Sequence, residues 1–332
     1  MTLTPSQLLL STARETRAVI ALSEGTDPRI VEGGLEAVRQ GLADIILVGP
    51  RADVETALKD AGGSESDAVT IHDPSDSALH GAFARSYFSL RSKKGVSEEQ
   101  AAGAVRDPLV YSALLVREGH ATGTVGGAVA TTSDIVRAAI QMIGKAPDAA
   151  LVSSFFLMYP PEDTGRAMLY SDCGLVIDPS VDELASIAAV SAGSFKALMR
   201  AEPSIAMLSF STKGSARHDA VTKVTDATAK LRAARPDLKA DGELQFDAAF
   251  VPSVGARKAP ESEVAGHANV MIFPNLDAGN IAYKITQRLG GYAAIGPVMQ
   301  GLNKPANDLS RGCTAQDVTE MIAVTALQAM HG

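Results

Sequence analysis

Short apolar segments alternate with amphipathic helical segments along most of the chain, and this alternation limits the possible folds more than any other feature. The strand-like "RAVIALS" is followed by the helix-like "IVEGGLEAVRQG", and "DIILVG" and "VTIHDP" are the next strand-like segments. The pattern returns later in "SIAMLSFS", "VTDATAKLRAA", "ANVMIFPN" and "AGNIAYKITQRLGG". Neighbouring parallel strands need a crossover connection, which is usually a helix. The sequence therefore predicts the α/β class with mostly parallel sheets.

The pattern changes near residue 150. The segment "ALVSSFFLMYPPEDTGRAMLYSDCGL" contains two strand-like runs around "PPEDTG" (160–165), which predicts a hairpin. A chain of 332 residues is expected to form roughly two domains. Since neither a repeat nor a low-complexity linker marks a boundary, only this change of pattern indicates where the domains meet.

Composition argues against several classes of protein. The net charge of −8 and the absence of tryptophan argue against a nucleic-acid-binding protein, which usually has a basic face. Cys173 and Cys313 are the only cysteines, and the six histidines lack metal-ligand spacing, so we expect no metal site. No apolar stretch approaches the ~18 residues of a membrane span, and the amino terminus lacks the pattern of a secretory signal. We therefore expect a cytoplasmic protein that is not bound to a membrane.

The glycines do not form a known nucleotide-binding motif. Neither G-x-G-x-x-G nor G-x-x-x-x-G-K-S/T occurs, and Gly123, Gly126 and Gly127 are the nearest approach. This argues against dinucleotide or ATP binding through those loops.

The segment "NKPANDLSRGCTAQDV" (303–318) places an arginine just before a helix start. Thr314 and Asp317 have the spacing of a capping box ahead of the apolar run "VTEMIAVTAL". A helix start presents free N–H groups and partial positive charge, and the planar guanidinium of Arg311 suits a phosphate. Two interpretations remain open. Ser310, Arg311 and Asp317 form an active site, or they form a capped turn with local hydrogen bonds. Cys313 is most simply a small, partly buried residue.

Two other basic segments could bind anions. The stretch "ARSYFSLRSKKG" (84–95) brings together Arg85, Arg91, Lys93 and Lys94, which form either an anion site or a solvated face. Arg137 follows a helix start that Thr132 or Ser133 could cap, and it is either an anion ligand or a surface arginine paired with Asp134. The residues by themselves indicate an anion-binding α/β enzyme.

The carboxyl-terminal text closely resembles the phosphate acetyltransferase family. The resemblance rests on "GELQFDAAFVPSVGARKAPESEVAGHANVMIFPNLDAGNIAYKITQRLGGYAAIGPVMQGLNKPANDLSRGCTAQDV" (242–318). It continues in "SEGTDPRIVEGG" (23–34), "LRSKKG" (90–95) and "TTSDIVRAAIQ" (131–141), so it covers essentially the whole chain. "NDLSRG" resembles the acetyl branch rather than the related phosphate butyryltransferases.

This resemblance implies a reaction, a fold and a set of partners. The reaction is reversible acetyl transfer, acetyl-CoA + phosphate = CoA + acetyl phosphate, without a tightly bound cofactor. The fold is two α/β domains with a cleft between them, as in the isocitrate and isopropylmalate dehydrogenases, and the assembly is a homodimer. Domain one is expected at 1–147 plus 296–332, where it includes the carboxyl-terminal helix, and domain two at 148–295.

The resemblance also assigns catalytic roles. Asp317 corresponds to the proposed general base, Ser310 to a hydroxyl beside the reacting thiol, and Arg311 to the arginine that binds the phosphoryl group. These roles imply that the thiolate attacks the acetyl carbonyl in a ternary complex, without an acyl-enzyme.

Three further residues correspond to positions around the substrates. Arg91 and Arg137 correspond to arginines that bind coenzyme A or phosphate, and Cys173 corresponds to a cysteine near the coenzyme A site with a steric role. The segment "LRSKKG" departs from many relatives, which carry Lys-His where this chain has Ser92 and Lys93.

Three alternatives stay open from the sequence. The first is a phosphate butyryltransferase-like enzyme, which a comparison of acetyl-CoA with butyryl-CoA would distinguish. The second is a non-catalytic protein that binds coenzyme A or another phosphorylated metabolite. The third is a decarboxylating dehydrogenase of related fold, which would show a nicotinamide-dependent absorbance change with a hydroxy acid.

Overall fold

The structure is a computed structural model that describes residues 3–147, 149–161 and 165–330. The chain divides into two compact units. The flanking unit comprises Leu9–Pro147 and Leu302–Gly332, and the central unit comprises Met1–Leu8 and Asp148–Gly301.

Strands and helices alternate in both units. The strands are β1 Ala18–Leu22, β2 Ala43–Val48, β3 Val69–His72, β4 Gly123–Gly126, β5 Ser153–Tyr159, β6 Met168–Ser171, β7 Ser204–Leu208, β8 Lys239–Leu244, β9 Val270–Ile272, β10 Ala293–Gln300 and β11 Ala306–Asp308. The helices are α1 Pro5–Ala13, α2 Pro28–Arg39, α3 Arg51–Asp60, α4 His80–Arg91, α5 Glu98–Ala104, α6 Pro108–Glu118, α7 Thr132–Ala138, α8 Val181–Met199, α9 Asp219–Ala234, α10 Phe246–Phe250, α11 Pro252–Lys258, α12 Leu276–Arg288 and α13 Ala315–Gln328.

The flanking unit has a parallel sheet. Its described residues form five strands in the order β11-β4-β1-β2-β3, and every neighbouring pair is parallel. Four of the five residues of β1 are buried because helices α6 and α13 both pack against it. The carboxyl ends of β1, β4 and β11 therefore meet at one edge, with Leu22 opposite Val125 and Asp308 opposite Gly126.

Helices α2 and α13 pack closely at the start of α13. A Cβ on Gly33 of α2 would lie 2.5 Å from the carbonyl oxygen of Ala315 and 2.6 Å from Cβ of Val318, so glycine permits this approach. The hydroxyl of Thr319 donates to the carbonyl of Gly33 at 3.0 Å. Asn307 of β11 donates through Nδ2 to the Thr325 hydroxyl at 2.8 Å. These contacts hold the strand and the helix on either side of residues 309–314.

The central unit has a mixed sheet. Within the described residues it has six strands in the order β10-β5-β6-β9-β7-β8. β5 pairs antiparallel with β6 and with β10, while the other neighbours are parallel. The antiparallel strands predicted on either side of "PPEDTG" are therefore confirmed, and residues 162–164 of that hairpin lie outside the described residues. The α/β class with mostly parallel sheets is also confirmed.

The compact units differ from the predicted domains at two points. The predicted boundary at 295/296 falls inside β10, which stays paired with β5 from Ala293 to Gln300. The units change instead between Gly301 and Leu302, and the described residues 3–8 group with the central unit. The predicted domains, the cleft between them and the likeness to the dehydrogenases stay predictions.

Candidate active site

Three loops of the flanking unit start at the same edge of its sheet. They follow β1, β4 and β11 and contain residues 23–27, 127–131 and 309–314. In open parallel sheets, ligands usually bind outside the carboxyl ends of the strands. The strand order therefore brings the loop 309–314, which carries Ser310 and Arg311, beside two segments that are distant in sequence.

The capping box at the start of α13 is confirmed. The Thr314 hydroxyl accepts the Asp317 N–H at 3.2 Å, and Oδ2 of Asp317 accepts the Thr314 N–H at 2.7 Å and the Thr314 hydroxyl at 2.9 Å. Asp317 is exposed, and its other oxygen, Oδ1, has no hydrogen-bond partner within the part of the chain that the structure describes. Asp317 is therefore a cap, and it has one oxygen left that can accept a proton.

Ser310 and Arg311 lie in a tight exposed turn. The Ser310 hydroxyl oxygen accepts the Gly312 N–H at 3.2 Å, and the Ser310 carbonyl accepts the Cys313 N–H at 2.8 Å. The local hydrogen bonds of the capped-turn interpretation are thus present. The Arg311 guanidinium is exposed and has no hydrogen-bond or ion-pair partner in the described ranges. An unpaired guanidinium beside a helix start can bind a phosphate.

Arg29 connects this turn to the other two loops. Its guanidinium forms a bidentate pair with Asp27 at 3.0 and 2.8 Å. It also donates to the carbonyls of Arg311 at 2.7 Å, Cys313 at 3.3 Å and Ala128 at 2.8 Å. The hydrogen bonds from Arg29 lower the pKa of the Asp27 carboxyl, so that carboxyl stays ionised. Arg29 is not among the predicted site residues, although "TDPR" is a recognisable capped helix start.

Glu24 organises the loop after β4. Its two carboxylate oxygens accept the N–H groups of the four consecutive residues from Gly127 to Ala130, at 2.7–3.1 Å. These donors would otherwise be free to bind an anion, because successive N–H groups in a turn form an anion-binding nest. The loop's nest is therefore occupied by the protein's own carboxylate. No motif in the sequence indicated this role.

In the described residues, neither Arg137 nor Arg91 is hydrogen-bonded to these three loops. Nη2 of Arg137 pairs with Asp134 at 2.9 Å, and the Arg137 side chain is 58 % exposed, so the predicted surface pair is present. Arg91 ends α4 and is half-buried. Nε of Arg91 is buried without a partner among the residues described. Both arginines still have donors that a ligand could use.

The two cysteines are both buried but differ in setting. Cys173 is fully buried in the hydrophobic core of the central unit, and burial raises the pKa of its thiol well above the usual value. Any influence of Cys173 on coenzyme A would therefore act through packing. Cys313 is also buried, and burial raises the pKa of its thiol as well. Raised pKa values make both thiols poor nucleophiles.

The described residues contain neither a cluster of metal ligands nor a helix that could span a membrane. No group of three or more His, Cys, Asp or Glu side chains there could hold a metal ion. Nor is any helix in residues 3–147, 149–161 and 165–330 long and apolar enough to cross a membrane.

The chain is similar to known proteins over almost its whole length. A family profile described as "Phosphate acetyl/butaryl transferase" matches residues 6–326. A phosphate acetyltransferase of Paracoccus denitrificans is 46% identical over 313 residues, which are 93% of this chain and 94% of the relative. One from Thermoanaerobacterium thermosaccharolyticum is 43% identical over 326 residues, 97% of this chain and 98% of the relative.

Solved structures agree with these relatives. A phosphotransacetylase from Streptococcus pyogenes superposes with a TM-score of 0.92 at 42% identity, covering 98% of both chains. The EutD phosphotransacetylase from Staphylococcus aureus superposes with a TM-score of 0.89 at 38% identity, covering 99% of this chain and 100% of that one. Because the family profile, the relatives and the solved structures all match over nearly the whole chain, the chain belongs to the phosphate acetyl/butaryl transferase family, and it is an acyltransferase.

Proposed function

We propose that the protein transfers an acetyl group reversibly between coenzyme A and phosphate. The observation that carries the proposal is the exposed, unpaired guanidinium of Arg311 beside Ser310 at the start of α13. The turn that presents it is held by Arg29 through two backbone carbonyls. Relatives that are 41–46% identical over most of this chain are named phosphate acetyltransferases, which supports the same reaction here.

Arg311 binds the phosphoryl group of acetyl phosphate. A guanidinium donates two parallel hydrogen bonds to phosphate oxygens, and each such charge-assisted bond is stronger than a neutral one. The first turn of α13, which follows the Arg311 turn in the chain, adds partial positive charge. As the phosphate leaves, these groups stabilise the charge that develops on it.

The proton of the thiol is the energetic difficulty. Transfer from a thiol with a pKa of about 8.5 to an ordinary carboxylate near 3.9 is uphill by about 4.6 units, or roughly 6 kcal/mol. Asp317 accepts this proton on Oδ1, since Oδ2 remains in the cap. Arg311 and the helix start lower the free-energy cost of this proton transfer, because positive charge stabilises the thiolate.

The chemical step proceeds in a ternary complex. The thiolate sulfur attacks the acetyl carbonyl carbon, and an oxyanion forms on the carbonyl oxygen. The Ser310 hydroxyl, which is exposed beside Arg311, donates a hydrogen bond to the reacting groups. The C–O bond to phosphate then breaks, and the electron pair leaves with the phosphate. No acyl-enzyme forms.

Arg91 and Arg137 bind the anionic parts of coenzyme A. Arg137 would exchange its surface pair with Asp134 for a phosphate of the substrate. The buried, unpartnered Nε of Arg91 would gain a partner. Cys173 shapes the coenzyme A site only through the packing of the central unit.

We also propose that the protein is a cytoplasmic homodimer without a tightly bound cofactor or metal. Its two cysteines are free, as is usual in a reducing compartment. Ile281 and Ile285 of α12 are exposed four residues apart, and Leu289, directly after the end of the helix, is 85% exposed. Such an apolar stripe on a soluble protein commonly marks a contact with another protein.

One assay tests the function directly. The purified protein is incubated with acetyl-CoA and either phosphate or arsenate, and the loss of the thioester bond is followed. We expect complete loss in arsenate, because acetyl arsenate hydrolyses spontaneously, and loss to an equilibrium level in phosphate. Loss from butyryl-CoA should be slower. Exhaustive chelation should leave the rate unchanged. A thioester that stays intact in both anions would refute acetyl transfer, and restoration by a divalent ion after chelation would refute the metal-free reaction.

A further inference from the structure

Asp308 is a carboxyl group inside the flanking unit, directly before the turn of Ser310 and Arg311. It is the last residue of β11, opposite Gly126 of β4, and only 1 % of it is exposed. The next N–H, that of Leu309, donates to the Gly126 carbonyl at 2.7 Å, after which the turn leaves the sheet. A change at Asp308 therefore acts where the turn begins.

The two carboxyl oxygens of Asp308 have different surroundings. Oδ2 is hydrogen-bonded to the Thr132 hydroxyl at 2.6 Å. Oδ1 is buried and has no hydrogen-bond partner within the described part of the chain. It packs against Gly127, whose φ is +103°, and a Cβ at that position would overlap Oδ1. An ionised carboxylate is costly in such a place, whereas a neutral acid needs fewer partners.

The loop next to Asp308 has no donors left for it. Glu24 accepts all four N–H groups from Gly127 to Ala130, so they cannot stabilise a second carboxylate. Glu24 also adds negative charge near Asp308. Burial, with the charge of Glu24 adding to it, raises the pKa of Asp308 to about 7, although the hydrogen bond from the Thr132 hydroxyl lowers it.

The ionisable groups on the elements that pack against β11, which are β4, α7 and α13, are engaged elsewhere. On α7, which packs against β11, Asp134 and Arg137 pair with each other at the surface. On α13, Asp317 is bonded to Thr314, and Glu320 accepts a hydrogen bond from Gln316 at 2.9 Å. The β4 residues Gly123–Gly126 carry no charge. Nothing in the described residues around β11 therefore offers Asp308 a cation.

We propose that Asp308 is a positioning residue for acetyl transfer: as an uncharged acid bonded to Thr132, it holds the end of β11 and the following turn against α7. The inference rests on the proposed function. Thr132 is the first residue of α7, so this single hydrogen bond joins the helix that carries Arg137 to the strand that precedes Ser310. Ionisation would leave Oδ1 as a charged acceptor without a donor, and only a shift of the strand end could supply one.

The sign of the pH effect on stability follows from the direction of the pKa shift. The usual aspartate value is 3.8, and folding raises it to about 7. Between these values the folded protein holds a proton that the unfolded chain has lost. The free energy of unfolding therefore falls as pH rises through this window, and the effect is complete above about pH 7. The folding equilibrium constant changes by at most about a thousandfold over these three units.

The first experiment measures urea unfolding of the wild type and Asp308→Asn between about pH 5 and about pH 8.5. Asp44→Asn, an exposed aspartate of β2 in the same sheet, is the matched control. We expect Asp308→Asn to gain stability relative to the wild type as pH rises, while Asp44→Asn follows the wild type. If the difference in unfolding free energy between the wild type and Asp308→Asn is constant over this range, the proposal that Asp308 is an uncharged acid is overturned.

The second experiment measures kcat over the same pH range. Because asparagine is a neutral replacement, Asp308→Asn should turn over within a few-fold of the wild type near pH 6 and gain on it as pH rises past about 7. Thr132→Val should lose about tenfold in kcat, and Thr132→Ser should restore it. A folded Asp308→Asn that is inactive throughout, a flat kcat ratio, or a fully active Thr132→Val would each overturn the positioning role.

A spectroscopic measurement covers the case in which Asp308→Asn does not fold. Infrared difference spectra of the wild type should show a protonated carboxyl that persists well above pH 5 and disappears near pH 7. Absence of that band would overturn the inference. A wild type without acetyl transfer would refute the proposed function instead, so the two failures are distinguishable.

Discussion

Asp317→Asn separates the two roles of Asp317, because an amide can replace a carboxylate in the cap but not as a base. The capping box of α5 already uses an amide, since Oε1 of Gln100 accepts the Ser97 N–H at 2.9 Å. In Asp317→Asn, the amide oxygen can still accept the Thr314 N–H, which the carboxylate now accepts at 2.7 Å. Only the charge is lost.

The expected magnitudes differ for the two roles. Loss of the charge from the cap should cost at most about 1 kcal/mol of unfolding free energy. For a unit of this size that is a shift of about 2–4 °C in Tm. Loss of a general base lowers the rate by about 10²–10⁴-fold. We therefore expect Asp317→Asn to melt almost normally and to lose most of its kcat.

The assay measures kcat and Tm on the same preparation. Glu183→Gln is the matched control, because Glu183 closes an equivalent capping box with Ser180 at the start of α8, at 2.8 Å. Glu183→Gln should show the same small change in Tm with normal kcat, and Ser310→Ala should show a smaller loss of kcat than Asp317→Asn. If Asp317→Asn melts early but turns over normally, Asp317 is only a cap and the assignment as base is refuted.

Four further predictions concern residues other than Asp317. Alanine at Arg91 or Arg137 should raise KM for coenzyme A, since each lost charge-assisted contact is worth about 1.5–3 kcal/mol, and unchanged KM values in both variants would contradict substrate binding. Cys313→Ala should turn over almost normally, and the wild type should retain no radiolabelled acetyl. An inactive Cys313→Ala together with a labelled wild type would establish an acyl-cysteine. Arg29→Lys should lower kcat, because a lysine ammonium cannot replace the planar guanidinium that binds the loops 127–131 and 309–314 at once. A kcat equal to that of the wild type would contradict this. Because the pKa of Asp27 is lowered in the folded protein, its pair with Arg29 stabilises the fold at neutral pH. This stabilisation is lost only as the pH falls below 3.8. Acid unfolding of Asp27→Asn, compared with the wild type, would measure it.

The assignment of the cap of α7 shows the limit of local sequence information. Thr132 or Ser133 was the predicted cap, and that prediction was wrong, because the Thr131 hydroxyl accepts the Asp134 N–H at 3.3 Å. Three hydroxyl residues in a row have nearly equal capping propensity. The Thr132 hydroxyl is instead bonded to Asp308, across 176 positions of sequence, a contact that local sequence does not reveal.

The sequence by itself determined the features that depend on neighbouring residues. The alternation of apolar segments predicted the α/β class, and the spacing of Thr314 and Asp317 predicted the capping box. Such features are readable because helix geometry places residues three or four apart side by side. The resemblance in the last third of the chain added the family, which the residues alone did not reach.

The tertiary structure alone decided how the loops meet and which charges they enclose. Arg29 reaches the Arg311 carbonyl across 282 positions, and Glu24 reaches the loop after β4 across 103 to 106 positions. These contacts depend on the order of strands in the sheet, which local periodicity does not specify. The same holds for Asp308, because a raised pKa comes from burial and from the absence of nearby donors, and both arise only when β11 is packed against β4, α7 and α13.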